Sequence, residues 1–390
     1  MDIRSLAGEL SPWIIERRRF YHRRPELSFR ELETTRALAE DVRALGLEPI
    51  LFEDLPGLTA ELEGAKPGPR VLLRADIDAL PVQEATGLPF ASETYGVMHA
   101  CGHDAHIAML LGAMRLLIKA REELRGSVRF LLQAGEETGK GAQKYIDRGV
   151  LDGVDAAFGL HVWGTVDAPL AAVGPGRRMA SMDNFRITVT GKQAHGAAPQ
   201  DGRDAIVAAS AVVLALQTFA SRRNDPLNPF VLTVGTFHGG AMYNIICPAV
   251  ELTGSVRTYS RQLRETLPGE LERIVQSAAV SCGCEAKLEF ERLLPPIIND
   301  NERVNSAVYG AALRLFGPEG ITQAPPLMSS DDFSLLAARV PGYYALLGTR
   351  DAARGFDAVN HSERFTVDED ILWRGSALAA QFALDFAGEA

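Results

Sequence analysis

At 390 residues the chain is longer than one ordinary hydrophobic core supports, so two domains are expected. Hydrophobic residues make up 46% and charged residues 23%, the balance of a globular protein, and the formal charge of -10 argues against a nucleic-acid groove or an anionic membrane surface as partner. No run of about 18 apolar residues is apparent, so no membrane-spanning helix is expected.

The opening MDIRSLAGELSPWIIERRRF lacks the apolar stretch and small-residue cleavage site of a signal peptide. It reads as an amphipathic helix with Ile3, Leu6, Leu10, Trp13 and Ile14 near one face. The cysteines are Cys101, Cys247, Cys282 and Cys284, too few in such a chain for a disulfide framework, which fits a reducing cytoplasm. Cys282 and Cys284 are too close for an easy mutual bridge and have no zinc partner beside them, so they read as small residues near a helix end.

Between Arg70 and His161 strands alternate with helices. VLLRADID (71–78) is an apolar strand ending in acids, and residues 104–120 have helical periodicity. SVRFLLQ (127–133) is a second strand, followed by the loop AGEETGKG and a helix through Tyr145 and Ile146. DAAFGLHV (155–162) is a third strand. This alternation predicts an α/β sheet with helices on both faces, and ligands bind such sheets at the carboxyl ends of the strands. Asp76, Asp78, Glu136, Glu137 and His161 are all expected at such ends.

The pattern changes near Met179. FRITVTG is a strand, DAIVAASAVVLALQTFA a helix, FVLTVGTF and AVELTGSVRTY two strands, RQLRETLPGELERIVQSAAVS a helix disturbed only early by Pro268, and EAKLEFERL a last strand. The order βαββαβ is that of a ferredoxin-like α+β module. Residues 181–293 are therefore read as a small domain inserted into a larger α/β domain of residues 1–180 and 294–390. After Pro295 and Pro296 the chain turns helical again, with a short strand near Tyr343–Leu347 and a last helix from Glu369.

The densest chemical signal is MHACGHDAH (98–106), which sets His99, Cys101, His103, Asp104 and His106 within one loop and helix start. Thiolate, imidazole and carboxylate are the side chains that bind zinc and its neighbours, whereas the bland reading is a polar helix cap made by Asp104. The second signal is GEET (135–138). Adjacent carboxylates cannot point the same way, so one can ligate metal while the other works on a water whose pKa the metal lowers. His161 and His361 complete a set with Cys101, His103 and Glu137. Five ligands suit two ions more than one, because a structural zinc is usually content with four.

These motifs resemble the di-metal aminoacylase/carboxypeptidase family, in the branch of hippurate hydrolases, indole-acetyl-amino-acid hydrolases and N-acetyl-diaminopimelate deacetylases. The resemblance runs through HRRPELSFRE (22–31), RADIDALPVQE (74–84), HACGHDAH (99–106), the glutamate pair 136–137, GLHVW (159–163), GKQAHGAAP (191–199), YNIICP (243–248), SSDDF (329–333) and NHS (360–362). It implies a two-domain fold: an α/β zinc-peptidase-like catalytic domain, and an inserted α+β ferredoxin-like lid and dimerisation domain. It implies Cys101, His103, Glu137, His161 and His361 as ligands of two divalent ions (zinc, manganese, cobalt or nickel) and Glu136 as general base. His195 corresponds to a histidine that serves the partner subunit's active site and helps stabilise an oxyanion. Asn244 and Arg257 correspond to positions that hold a substrate carboxylate. The departures are LQAGEE where proline often precedes the glutamates, and SDDF where SEDF is usual; neither removes a ligand.

The expected activity is hydrolysis of the amide bond of N-acyl amino acids, hippurate-like or N-acetyl, by metal-activated water. A dipeptidase or carboxypeptidase, or an N-acetyl-diaminopimelate deacetylase, is the alternative within the family. A homodimer or homotetramer in the cytoplasm, with no nucleic-acid or membrane partner, is the expected assembly. A non-catalytic metal-binding module would not need Glu136 beside Glu137. Cys101 as nucleophile lacks an oriented Cys–His–Asn arrangement.

Overall fold

In a computed structural model of the chain, which describes residues 1–323 and 325–388, two compact units are resolved. One comprises Met1–Gly176, Ile298–Pro325 and Asp331–Ala390; the other comprises Arg177–Ile297 and Pro326–Ser330. The chain begins with α1 (Ile3–His22), α2 (Leu32–Ala44), β1 (Ile50–Leu51), β2 (Gly57–Glu63), β3 (Lys66–Asp76) and α3 (His103–Lys119). It continues through β4 (Arg125–Gln133), α4 (Gly141–Ile146), β5 (Ala156–Asp167), β6 (Ala171–Ala172) and β7 (Gly176–Met179). Next come β8 (Met182–Thr190), β9 (Ala194–His195), α5 (Ala205–Thr218), β10 (Phe230–Gly239), β11 (Ile245–Ile246), β12 (Ala249–Thr258), α6 (Arg261–Ser281) and β13 (Glu285–Leu294). The last elements are β14 (Ile297–Asn299), α7 (Glu302–Phe316), β15 (Ile321–Thr322), α8 (Phe333–Ala337), β16 (Gly342–Arg350) and α9 (Leu372–Gly388).

The first unit is built on an eight-stranded sheet of order β1-β2-β4-β3-β5-β16-β6-β15. Its centre is parallel: β3 pairs with β4 and β5, and β5 with β16. The flanks are antiparallel, β2 against β4 and β6 against β16, so the sheet is mixed. Phe158 of β5 stacks on Phe382 of α9 at 5.2 Å, while a Cβ on the next residue, Gly159, would lie 3.0 Å from the Phe333 ring of α8. Successive strand residues face opposite sides, so α9 and α8 cover opposite faces. On the α9 side, α1 and α3 complete the layer. Nearly every residue of α3 from His103 to Leu117 is buried, which its continuous apolar run requires.

Several expectations change in detail. The buried stripe of α1 runs Ile3, Ala7, Leu10, Ile14, Arg18 and Tyr21, with Leu6 and Trp13 at its half-buried margins. β3 stops at Asp76, leaving Asp78 in the loop beyond it. β5 extends to Asp167, so His161 lies within the strand and not at its carboxyl end. It nevertheless sits past the last residue that β3 pairs with, Gly159, because β5 continues alongside β16 alone. β2 and α2 escape the sequence pattern: α2 buries only Thr34, Leu38, Ala39 and Val42, too sparse a stripe to stand out.

The second unit contains a four-stranded antiparallel sheet of order β10-β12-β8-β13. Phe185, Ile187 and Val189 of β8 point to one side, where α5 and α6 close a core with Ala208, Val212, Leu216, Leu271 and Val275. α6 runs unbroken through Pro268. The helical stretch Ala205–Arg223 is long and apolar enough to cross a membrane by length and composition alone, its most apolar 18-residue window having mean hydropathy 1.6 and being 33% buried. It is apolar on both sides, burying Ala205, Ala208 and Ala209 while Val207 and Leu214 stay exposed. All four cysteines are free.

Candidate metal centre

The loop before α3 delivers Cys101 and His103 to the sheet. Gly102 stands between them at φ 89°, and a Cβ there would come 2.4 Å from Val162 Cγ2, so only glycine fits this approach. Asp104 makes no helix cap. It accepts from Arg18 Nε at 2.7 Å and pairs with His22 Nδ1 at 2.8 Å, tying α3 to α1 in a buried ion pair. Burial opposes its ionisation, but Arg18 and His22 outweigh that and hold its carboxyl below the usual range.

His103 Nδ1 donates to the backbone oxygen of Asp78 at 2.8 Å, which leaves Nε2 facing inward. His161 Nδ1 donates to the Val162 carbonyl at 2.6 Å, turning its own Nε2 to within 3.4 Å of Cys101 Sγ. Glu137 Oε1 lies 3.8 Å from His103 Nε2 and 3.7 Å from His361 Nε2. The structure thus brings together all five residues read from the sequence as ligands. His103 Nε2 and Glu137 Oε1 are buried yet have no hydrogen-bond partner among the described residues. An orphaned pair of this kind is costly unless a cation sits between them.

A second group of donors, Asp76, His103, His106 and His161, is equally compact. Its hydrogen bonds disqualify it. His106 Nδ1 is 2.5 Å from Asp76 Oδ1, and Val162 N–H donates to His106 Nε2 at 2.9 Å, so both ring nitrogens are engaged. Asp76 is further held by Arg74 Nη1 at 2.7 Å. His106 therefore orients the strand that carries His161, as outer partners of metal ligands do. His99 is buried with neither ring nitrogen partnered among the described residues, and burial pushes its pKa down to about 4.

Glu136 diverges from Glu137, as adjacent carboxylates must. It turns to Asp331 and Asp332, whose backbone N–H donates to Glu136 Oε1 at 3.4 Å. Burial, Asp331 and Glu137 raise its pKa well above the carboxylate range. Burial raises that of Glu137 to about 7, against the pull of His103. Burial opposes charge on His103, but Asp76 and Cys101 outweigh it and raise its pKa, which favours the proton. A divalent cation would take the place of that proton and invert the logic for the carboxylates. Burial and then Glu137 push the Cys101 thiol up, which ill suits a free nucleophile.

His361 is the most open member, its side chain 57% exposed. Its backbone is left-handed at φ 72°, and its N–H donates to the Ala100 carbonyl at 2.8 Å. The neighbouring Asn360 amide donates to the carbonyls of Cys101 at 3.2 Å and Val162 at 3.1 Å, while its oxygen accepts from Gly164 at 3.0 Å. Asn360 thus locks three distant segments together. Sequence reasoning noted the NHS motif but not this function; an amide carries no signal of its own until its partners are known.

In the second unit, His195 of β9 pairs with Ile245 of β11, which sets Asn244 beside it, and Gly196 N–H donates to the Asn244 carbonyl. His195 is exposed and accepts from Ala197 N–H through Nδ1 at 3.0 Å, so Nε2 carries the proton outward. Arg257 of β12 donates to Met328 O at 3.0 Å and Ser330 Oγ at 3.3 Å. No carboxylate is paired with it among the described residues, and partial burial lowers its pKa.

Residues 72–385 match the model of peptidase family M20/M25/M40. The chain belongs to that family and is an enzyme that hydrolyses amide bonds. It is 37% identical over 384 residues to thermostable carboxypeptidase 2 of Saccharolobus solfataricus, covering 98% of this chain and 97% of that one. It is 37% identical to an N-acetylcysteine deacetylase of Bacillus subtilis, covering 95% and 96%. A dinuclear metal binding peptidase of the family from Bacillus subtilis superimposes with a TM-score of 0.87 at 33% identity, over 98% of this chain and 99% of that one.

Proposed function

We propose that this enzyme is a metal-dependent amidohydrolase that cleaves N-acyl amino acids, with Cys101, His103, Glu137, His161 and His361 holding two divalent ions. The observation that carries the reading is the pair of buried, unpartnered atoms His103 Nε2 and Glu137 Oε1, ringed by Cys101, His161 and His361. The mixed thiol, imidazole and carboxylate set is compatible with zinc, manganese, cobalt or nickel. When bound, the ions polarise the amide carbonyl and acidify water.

This chain's own residues do the rest. Glu136 stands off the ligand cluster, turned to Asp331 and Asp332, where it can take a proton from water. It removes one from water as that water attacks the carbonyl carbon, and passes it to the departing amine nitrogen. The second unit serves as a ferredoxin-like lid and dimerisation domain. Val207 and Leu214 on α5 and the unpaired edge of β10 offer it a surface for a second copy. His195, with its proton on Nε2, is suited to donate to an oxyanion at a second copy's site. Arg257, free of carboxylate partners among the described residues, and Asn244 are suited to the substrate carboxylate.

The similarity to a carboxypeptidase as well as a deacetylase keeps short peptides as the second reading. Metal analysis combined with a panel of N-acetyl, N-benzoyl and dipeptide substrates tests both. Faster turnover of dipeptides than of every N-acyl amino acid would favour the second reading. Metal-independent hydrolysis would reject the first.

A further inference from the structure

The segment Glu26–Glu31, between α1 and α2, lies against the outside of the proposed metal centre without contributing a ligand. It runs beside the loop after β3: Leu27 bridges Ala79 in parallel, and Ala79 N–H donates to the Glu26 carbonyl at 2.8 Å. Ser28 Oγ–H donates to Asp78 Oδ2 at 2.7 Å, and the same oxygen accepts from Glu137 N–H at 3.0 Å. Asp78 in turn takes the His103 Nδ1 proton through its carbonyl. A single aspartate therefore joins Ser28, Glu137 and His103.

One residue on, the contact is with the glutamate loop itself. Phe29 adopts φ 63°, uncommon for an aromatic residue. That turn lays its ring against Gly135, where a Cβ would come 2.4 Å from Phe29 Cε1; Gly135 is itself left-handed at φ 74°. Glu31 is fully buried and its Oε1 accepts from Gly135 N–H at 2.9 Å. Its Oε2 is also buried and has no partner among the described residues. Burial and the nearby Asp78 raise its pKa to about 8.

We propose that Glu31 is a positioning residue for the Glu136–Glu137 pair: by holding Gly135 N–H against the Phe29 ring, it fixes the turn that sends one glutamate to the metal cluster and the other to the base position. The proposal rests on the functional reading above for the consequence, but not for the contact. Without Glu31, Gly135 loses its buried acceptor and the turn can relax, and outer partners of metal sites typically matter by about 10- to 100-fold in activity or metal affinity.

The test uses Glu31→Ala and Glu31→Gln in the full chain. Glutamine keeps an acceptor oxygen at the same side-chain length. In metal-free protein, amide exchange over residues 134–138 should quicken on the order of tenfold in E31A, the loss of one buried hydrogen bond, and return towards wild type in E31Q. With manganese or zinc added, kcat for N-acetyl-methionine should fall about 10- to 100-fold in E31A with much less change in KM, and E31Q should restore most of it. Wild-type exchange and wild-type kcat in E31A would overturn the proposal, as would E31Q behaving like E31A in both measurements. Should the wild type cleave no N-acyl amino acid, the functional reading fails while the exchange comparison still decides the role of Glu31. If E31A does not fold, the decision rests on E31Q: wild-type exchange and kcat support the acceptor role, and loss of both overturns it.

Discussion

The two compact units hold their polar residues in opposite ways. In the first, Arg74, Asp76, Asp104, His103, His106 and Glu136 are buried, and almost every donor is spoken for. Arg74 alone reaches Asp76, Asp331, Asp332 and Gln133. In the second, His195 and Asn244 are exposed on a two-stranded turn, and Arg257 keeps only neutral partners among the described residues. The first arrangement is preorganised: charge is fixed in low dielectric where it acts most strongly. The second waits for a ligand or a second copy. Disturbing the first should abolish chemistry or stability outright, and disturbing the second should tune it.

The largest effect is expected from removing metal. Prolonged chelation should abolish hydrolysis, and manganese or zinc should restore it; full activity in a protein shown to be metal-free would dissolve the contrast between the units. Next is Glu136→Gln, which keeps the size of the side chain. It should lower kcat on the order of 100- to 10,000-fold while elemental analysis still finds the wild-type metal content. A near-normal rate would move the base elsewhere.

His195→Ala should have a smaller effect, about 10- to 100-fold on kcat, with metal content unchanged. Mixing it with Glu136→Gln chains should recover some activity if His195 serves a second copy. Re-associated mixed oligomers as inactive as either parent would confine the histidine to its own chain or to no role.

Stability sharpens the same comparison. Asp104→Asn removes the buried carboxylate shared by Arg18 and His22, leaving Arg18 only Glu369, and should cost about 3 kcal/mol in denaturant unfolding. Lys287→Ala removes an ion pair on the exposed face of β13 and should leave the unfolding midpoint unchanged. The sign for Asp104 follows from its depressed pKa: its contribution is complete above the unfolded carboxylate value near pH 4, and is lost only as pH falls towards the lower folded value. A flat acid limb that Asp104→Asn does not alter would show that the pair contributes nothing net.

What was legible beforehand follows the same division. The parallel centre of the first sheet reads directly, because β3, β4 and β5 are apolar runs separated by the helices α3 and α4. The antiparallel flank is invisible, since β2 alternates too weakly and α2 carries too few apolar residues. Periodicity places His161 at a strand end because it does not reveal that β5 outlasts its neighbour β3.

By itself, the sequence determined the kinds of chemistry available. Histidine, cysteine and paired glutamates occur in motifs whose residue types allow little besides metal binding and proton transfer. Only the tertiary structure decided which of these residues share a site. His106 shares a motif with proposed ligands and Asp76 ends a neighbouring strand, yet Arg74 and Val162 N–H have already taken up their polar atoms. His103 Nε2 and Glu137 Oε1 are left without hydrogen-bond partners among the described residues. Availability of a lone pair depends on what the rest of the fold has already bonded, and that is a property of contacts between segments far apart in the chain.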